Sequence, residues 1–130
     1  MARMLIIDDD AYTRYAVRQF LECAGHTVIE AADGKAGMCL FRQGLPDVVI
    51  TDIFMPEQDG LEIILALKRE YPSVKIIAIS GGGDMGDLQY LGMSRVFGAE
   101  RVLCKPFTQQ ELLTTIQEIS NSCYAADSIR

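Results

Sequence analysis

Four short, largely apolar segments of this 130-residue chain end on residues able to do chemistry. Met4–Ile7 stops on Asp8-Asp9, Val48–Thr51 on Asp52, Val74–Ile79 on Ser80, and Arg101–Cys104 on Lys105. A carboxylate such as Asp52 can be a nucleophile and form an aspartyl phosphate. Lysine is a mobile point charge suited to phosphate, and a serine hydroxyl can donate a hydrogen bond to the same group. Carboxylates brought close repel one another, so either one is protonated or a cation sits among them. Oxygen-only ligands of this kind suit Mg²⁺. Metal and lysine would stabilise charge on transferring phosphoryl oxygens, the main catalytic need of that reaction.

Such a site exists only if the segments lie side by side. Val48-Val-Ile-Thr51 is a β-branched apolar run that reads as a strand buried on both faces. Pro56 and Gly60 break it. Residues 4–7, 26–30, 74–79 and 101–104 read as four further strands. Between them, Asp10 caps a predicted helix over 11–24, with Tyr12, Ala16, Val17, Phe20, Leu21 and Ala24 in one stripe and Gly25 at its left-handed stop. A second helix spans 34–43 and ends at Gly44 and Pro46. Asp59-Gly-Leu-Glu62 opens a third, with Leu61, Ile64, Leu65 and Lys68 at helical spacing, and Pro72 stops it. Gly81-Gly82-Gly83 leads to a fourth over 85–97, and the capping box Thr108-Gln-Gln-Glu111 opens the last.

Five alternations of strand and helix predict an α/β fold, a flavodoxin-like doubly wound sheet of five parallel strands in order 2-1-3-4-5 with five helices. That order sets Asp9 and Asp52 in one pocket, with Ser80 beside Asp52 and Lys105 reaching in from two strands away. One domain occupies residues 1–120, and 121–130 form a frayed tail.

A net charge of -6, with 18 acids against 12 lysines and arginines and no basic run, argues against a nucleic-acid surface. No apolar run reaches the roughly 20 residues of a membrane span, and the N-terminus lacks the regions of a signal peptide. Cys23, Cys39, Cys104 and Cys123 form no C-x-x-C pair and read as free buried thiols in a reducing cytoplasm. His26 reads as a strand-edge residue without chemistry.

The five marks together resemble a response-regulator receiver domain of two-component signalling. They are Asp8-Asp9, Asp52, Met55-Pro56-x-x-Asp59-Gly60, Ser80 and Lys105-Pro106-Phe107. The resemblance implies that Asp52 accepts a phosphoryl group from a histidine kinase or phosphotransfer protein and so switches binding to an effector protein. It implies Mg²⁺ ligation by Asp9, Asp52 and the backbone carbonyl of Phe54, with Asp8 helping through water. Ser80 and Lys105 match the pair that holds and reports the phosphoryl group, and the Lys105-Pro106 bond is cis by similarity. The expected protein is cytoplasmic, a monomer or weak dimer, and a signalling switch rather than a metabolic enzyme. It catalyses its own phosphoryl transfer and slow autodephosphorylation.

A constitutive adaptor of the same fold, indifferent to phosphorylation, is the competing reading. Intact Asp9, Asp52, Ser80 and Lys105 weigh against it. An aspartyl-nucleophile phosphatase would want a second acid where Phe54 stands, and a flavin carrier a phosphate-cradling loop where three acids stand. One departure concerns the last strand. Receivers often carry an aromatic switch residue three positions before the lysine, and here that position is Val102. Signalling is therefore expected to rest on the Ser80 loop and helix 85–97, whose Tyr90, Met93 and Phe97 share one side. Phe54, bulky and apolar two residues past the acceptor, is placed to shield an acyl phosphate from water. Phe54→Asn or Phe54→Ala should shorten the phosphoryl lifetime measured by loss of label, and an unchanged lifetime rejects that role.

Overall fold

Successive residues of each strand point to opposite faces of a single sheet, and the apolar pattern fills both faces. The structure is a computed structural model that describes residues 2–53, 60–80 and 98–129, with side chains described to residue 120. The chain runs β1 (Arg3–Ile7), α1 (Ala11–Cys23), β2 (Thr27–Ala31), α2 (Gly34–Gly44), β3 (Val48–Asp52), α3 (Gly60–Glu70), β4 (Lys75–Ser80), β5 (Arg101–Cys104) and α4 (Gln109–Ile129). All five strands are parallel, in the order β2-β1-β3-β4-β5. The fold class and strand order are those predicted. Four helices lie among the described residues, and the helix expected over 85–97 lies outside them.

Leu5, Ile7, Val49, Ile76 and Ala78 face Phe41 of α2 and Leu61, Ile64 and Leu67 of α3. Met4, Ile6, Ile50, Ile77 and Ile79 face Val17 and Leu21 of α1 and Leu112, Ile116 and Ile119 of α4. With helices on both faces, β3 is buried along its whole length. That explains its unbroken apolar run.

The caps fix where the helices begin. Asp10 accepts from the Tyr12 amide and the Thr13 hydroxyl, and Asp33 from the Ala36 amide. Thr108 and Glu111 close their box reciprocally, at 3.1 and 3.0 Å. Gly25 takes the left-handed conformation after α1, with φ of 93°.

Several expectations need correction. Tyr12, expected in the buried stripe of α1, is 89% exposed, because it sits in the first turn, before the helix meets the sheet. Ala24 caps the end of α1 and is exposed. The buried face of α3 also includes Ile63 and Leu67, wider than the stripe read from the sequence, while Leu65 is only half-buried. α2 ends at Gly44 as expected, and the residue that follows it, Leu45, takes the left-handed region with φ of 44°. Cys23, Cys39 and Cys104 are free thiols but exposed rather than buried, since all three lie off the core stripes. His26 accepts a hydrogen bond from the Ala2 amide at 3.0 Å and so ties down the N-terminus. The last helix continues to Ile129, and no glycine or proline follows Pro106 to stop it.

Gly60 marks a tight approach between the start of α3 and the end of β3. Its amide donates to the Ile53 carbonyl at 2.9 Å, and an added Cβ would lie 2.6 Å from the Ile53 Cα and 2.9 Å from the Ile53 oxygen. Those neighbours are backbone and cannot rotate away. Gly60→Ala should therefore destabilise the protein by about 1–3 kcal/mol. Urea unfolding checks this, and an unshifted midpoint would show that β3 and α3 can separate freely.

Candidate functional site

The parallel register brings four strand ends to one edge of the sheet. Ile7 pairs with Thr51, so the next residues, Asp8 and Asp52, leave the sheet side by side. Asp52 pairs with Ile79, one step before Ser80, and Ser80 pairs with Cys104, one step before Lys105. The backbone bond from the Lys105 amide to the Ser80 carbonyl, 2.7 Å, carries the ladder one residue further. The Lys105-Pro106 peptide is cis.

Asp8, Asp9 and Asp52 each turn an oxygen into one cluster, with the three ligand atoms within 4.8 Å of one another. Asp8 and Asp52 are buried and Asp9 is exposed, so the cluster opens to solvent on the Asp9 side. Lys105 Nζ bridges the two buried acids, 3.1 Å from Asp52 Oδ2 and 3.4 Å from Asp8 Oδ2. Ser80 is fully buried at the end of β4. Phe54, Met55, Pro56 and Asp59, and the loop and helix expected over 81–97, lie outside the described residues.

Charge is unevenly settled here. Burial pushes the Asp8 carboxyl up to about 6, against the Asp10 amide bonded to its Oδ1, and the Asp52 charge pushes the same way. Lys105 is held above its usual range. Its burial opposes the charge, but the nearby Asp52 and Asp8 carboxylates outweigh that cost. Among the described residues, three carboxylates against one bridging ammonium leave an excess of negative charge when all are ionised. An all-oxygen cluster with that excess fits a hard divalent cation with carboxylate and water ligands.

Two supports were not legible in the sequence. Arg14 Nη1 donates to the Asp8 carbonyl at 2.7 Å, and Arg14 Nε pairs with Glu30 at 3.3 Å. The only signal was an arginine pair four apart on α1, which reads as a solvated face. On the opposite end of the sheet, Lys68 Nζ bonds the Val74 carbonyl and Glu100, and Glu100 accepts from the Ile76 amide. That clamp fixes the entry to β5. Thr51, one residue before Asp52, is also buried, its hydroxyl donating to the Asp52 carbonyl at 3.1 Å.

Comparison with known proteins agrees with this geometry. The model of the response regulator receiver domain family matches residues 4–117. Protein PilH of Pseudomonas aeruginosa is 34% identical over 121 residues, which cover 92% of this chain and 98% of PilH. The probable C4-dicarboxylate response regulator DctR of Halalkalibacterium halodurans is 34% identical over 91% of this chain and 51% of its own length. The chain thus spans about half the length of the first curated relatives it matches. The crystal structure of a response regulator receiver domain protein from Clostridium thermocellum superposes with a TM-score of 0.87 at 30% identity, covering 97% of this chain and 99% of that one. With a matching family model over most of its length, a sheet of the same order and an acidic cluster at the carboxyl edge, this chain belongs to the response regulator receiver domain family of two-component signalling.

Proposed function

We propose that Asp52 is the phosphoryl acceptor of a phosphorelay receiver, and that its modification switches binding to an effector protein. The observation that carries this reading is the shared ammonium. Lys105 bridges the buried Asp52 and Asp8 in a cluster that, among the described residues, sets three carboxylates against one ammonium.

An Asp52 oxygen attacks the phosphorus of the donor. The donor's bond to phosphorus breaks, and its electron pair stays on the leaving atom, a histidine nitrogen when a histidine kinase or phosphotransfer protein is the donor. The attacking group is the Asp52 carboxylate, and Lys105 Nζ stands 3.1 Å from its Oδ2. As the phosphoryl group arrives, Lys105 exchanges a carboxylate oxygen for a phosphoryl oxygen without losing its charge. Ser80 supplies a hydroxyl to the same group. Asp9 and Asp52 would hold Mg²⁺ with the Phe54 carbonyl, and Asp8 would contribute through water. Bound there, Mg²⁺ supplies positive charge against the phosphoryl oxygens. Water slowly hydrolyses the acyl phosphate, which resets the switch. The protein works in the cytoplasm, as a monomer or weak dimer; among the described residues no helix is long and apolar enough to cross a membrane.

Intact mass after incubation with acetyl phosphate and Mg²⁺ tests the acceptor. One phosphoryl group is expected on the wild type, and none on Asp52→Asn or on wild type held in EDTA. Equal modification of Asp52→Asn would move the acceptor elsewhere.

The raised Asp8 carboxyl makes a second test. Without metal, the folded chain keeps a proton between about pH 4 and pH 6 that the unfolded chain has released. Stability therefore falls as pH rises through that window, by an amount on the order of 2–3 kcal/mol once complete. Asp8→Asn removes the penalty and keeps an oxygen for the Asp10 amide. In EDTA it should be more stable than wild type at pH 7 and no more stable near pH 4, measured by urea unfolding. A variant less stable than wild type at pH 7 would show that Asp8 is fully compensated by Lys105.

A further inference from the structure

We propose that Arg14 is a positioning residue for the acidic cluster, setting the peptide between Asp8 and Asp9 so that both side chains turn toward Asp52. The inference rests on the metal-binding reading above and goes beyond it, because that reading gives Arg14 no part in holding the metal or the phosphoryl group.

The Asp8-Asp9 peptide lies just past the last rung of the sheet. The Asp8 amide still bonds the Ala31 carbonyl of β2, at 3.1 Å. Its own carbonyl stands beyond the end of β1, and the Asp10 amide that follows is turned back onto Asp8 Oδ1. Arg14 Nη1 takes that carbonyl at 2.7 Å. Because the peptide is planar, a bond to its oxygen restrains the orientation of the whole plane, and with it the direction in which Asp9 leaves the chain. Asp9 is the exposed member of the cluster and has the most freedom to swing into water.

The guanidinium is itself fixed. Its Nε pairs with Glu30 on β2, which Arg18 Nη1 holds from the other side at 2.6 Å, and Arg18 also meets Glu22 at 3.1 Å. Arg14 is mostly buried, at 19% side-chain exposure, whereas Arg18 is 39% exposed and its hydrogen bonds go to Glu22 and Glu30. The two arginines therefore share one glutamate but differ in their second partner. Lysine cannot replace Arg14 fully, since a single ammonium does not span Glu30 and the Asp8 carbonyl as two guanidinium nitrogens do.

Electrostatics and positioning predict opposite signs. Removing a positive charge near an acidic cluster should tighten cation binding if charge alone matters. Losing the peptide anchor should weaken it, since outer-sphere supports of metal ligands typically contribute about 10–100-fold in affinity. The full chain is titrated with Mn²⁺, reading free ion by its paramagnetic resonance, with far-ultraviolet dichroism to follow thermal unfolding. Arg14→Met should bind Mn²⁺ about tenfold more weakly than wild type. Arg18→Met should bind as wild type or slightly more tightly, while losing comparable thermal stability. Arg14→Lys, the variant safest for folding, should fall between wild type and Arg14→Met. Unchanged or tighter binding in Arg14→Met and Arg14→Lys overturns the proposal, as does equal weakening in Arg18→Met. A wild type that binds no Mn²⁺ overturns the metal reading itself and this inference with it.

Discussion

Two buried carboxylates, Asp8 and Asp52, share the Lys105 ammonium, carried in from the far side of the sheet. Residues 8 and 105 are 97 positions apart in the chain, so only the completed parallel sheet can bring them together. Burial of an unpaired carboxylate would be costly, and the Lys105 bridge offsets part of that cost without cancelling it. The remainder shows in Asp8, whose proton is held to about pH 6. Among the described residues, carboxylates at this edge outnumber the ammonium that bridges them, which suits it to a divalent cation. A fully neutralised cluster would be more stable and would have nothing left to attract one.

The fold serves that constraint through its strand order. Placing β1 next to β3, and β4 and β5 beyond it, sets the acids on adjacent strands and lets the lysine reach across from two strands away. Gly60 lets α3 start directly against the backbone of Asp52 and Ile53, which presses the end of β3 into one position. Arg14 and Glu30 brace the acidic turn from α1 and β2. At the opposite edge, the Lys68–Glu100 clamp sets where β5 begins, and so where Lys105 ends up.

Much of this was legible in the sequence because it is local. Apolar runs, capping residues such as Asp10 and Thr108, and acids at strand ends all announce themselves within a few positions. From these the strand order follows by general rules of chain connection. What escaped was relational. Tyr12 fits the helical stripe of α1, yet its turn projects past the sheet, and periodicity alone does not show where a neighbour ends. Arg14 and Glu30 are 16 residues apart, and their pairing depends on how α1 lies across β2. Gly60 reads as a turn glycine, whereas its role is to leave no Cβ against β3. The exposed cysteines show the same limit, since their residue type favours burial and their positions on the helices and strand do not.

On the reading proposed, the acidic cluster and Lys105 together form a site for a divalent cation and a phosphoryl group on Asp52. A crystal structure of the chain grown with Mg²⁺ and beryllium fluoride tests it most directly. The account predicts a fluoroberyllate bonded to an Asp52 oxygen, a metal ion held by Asp9 and Asp52, and Lys105 Nζ moved from the carboxylates onto a fluorine. Fluoroberyllate absent or bound to another acid, with Lys105 still bridging Asp8 and Asp52, would contradict it.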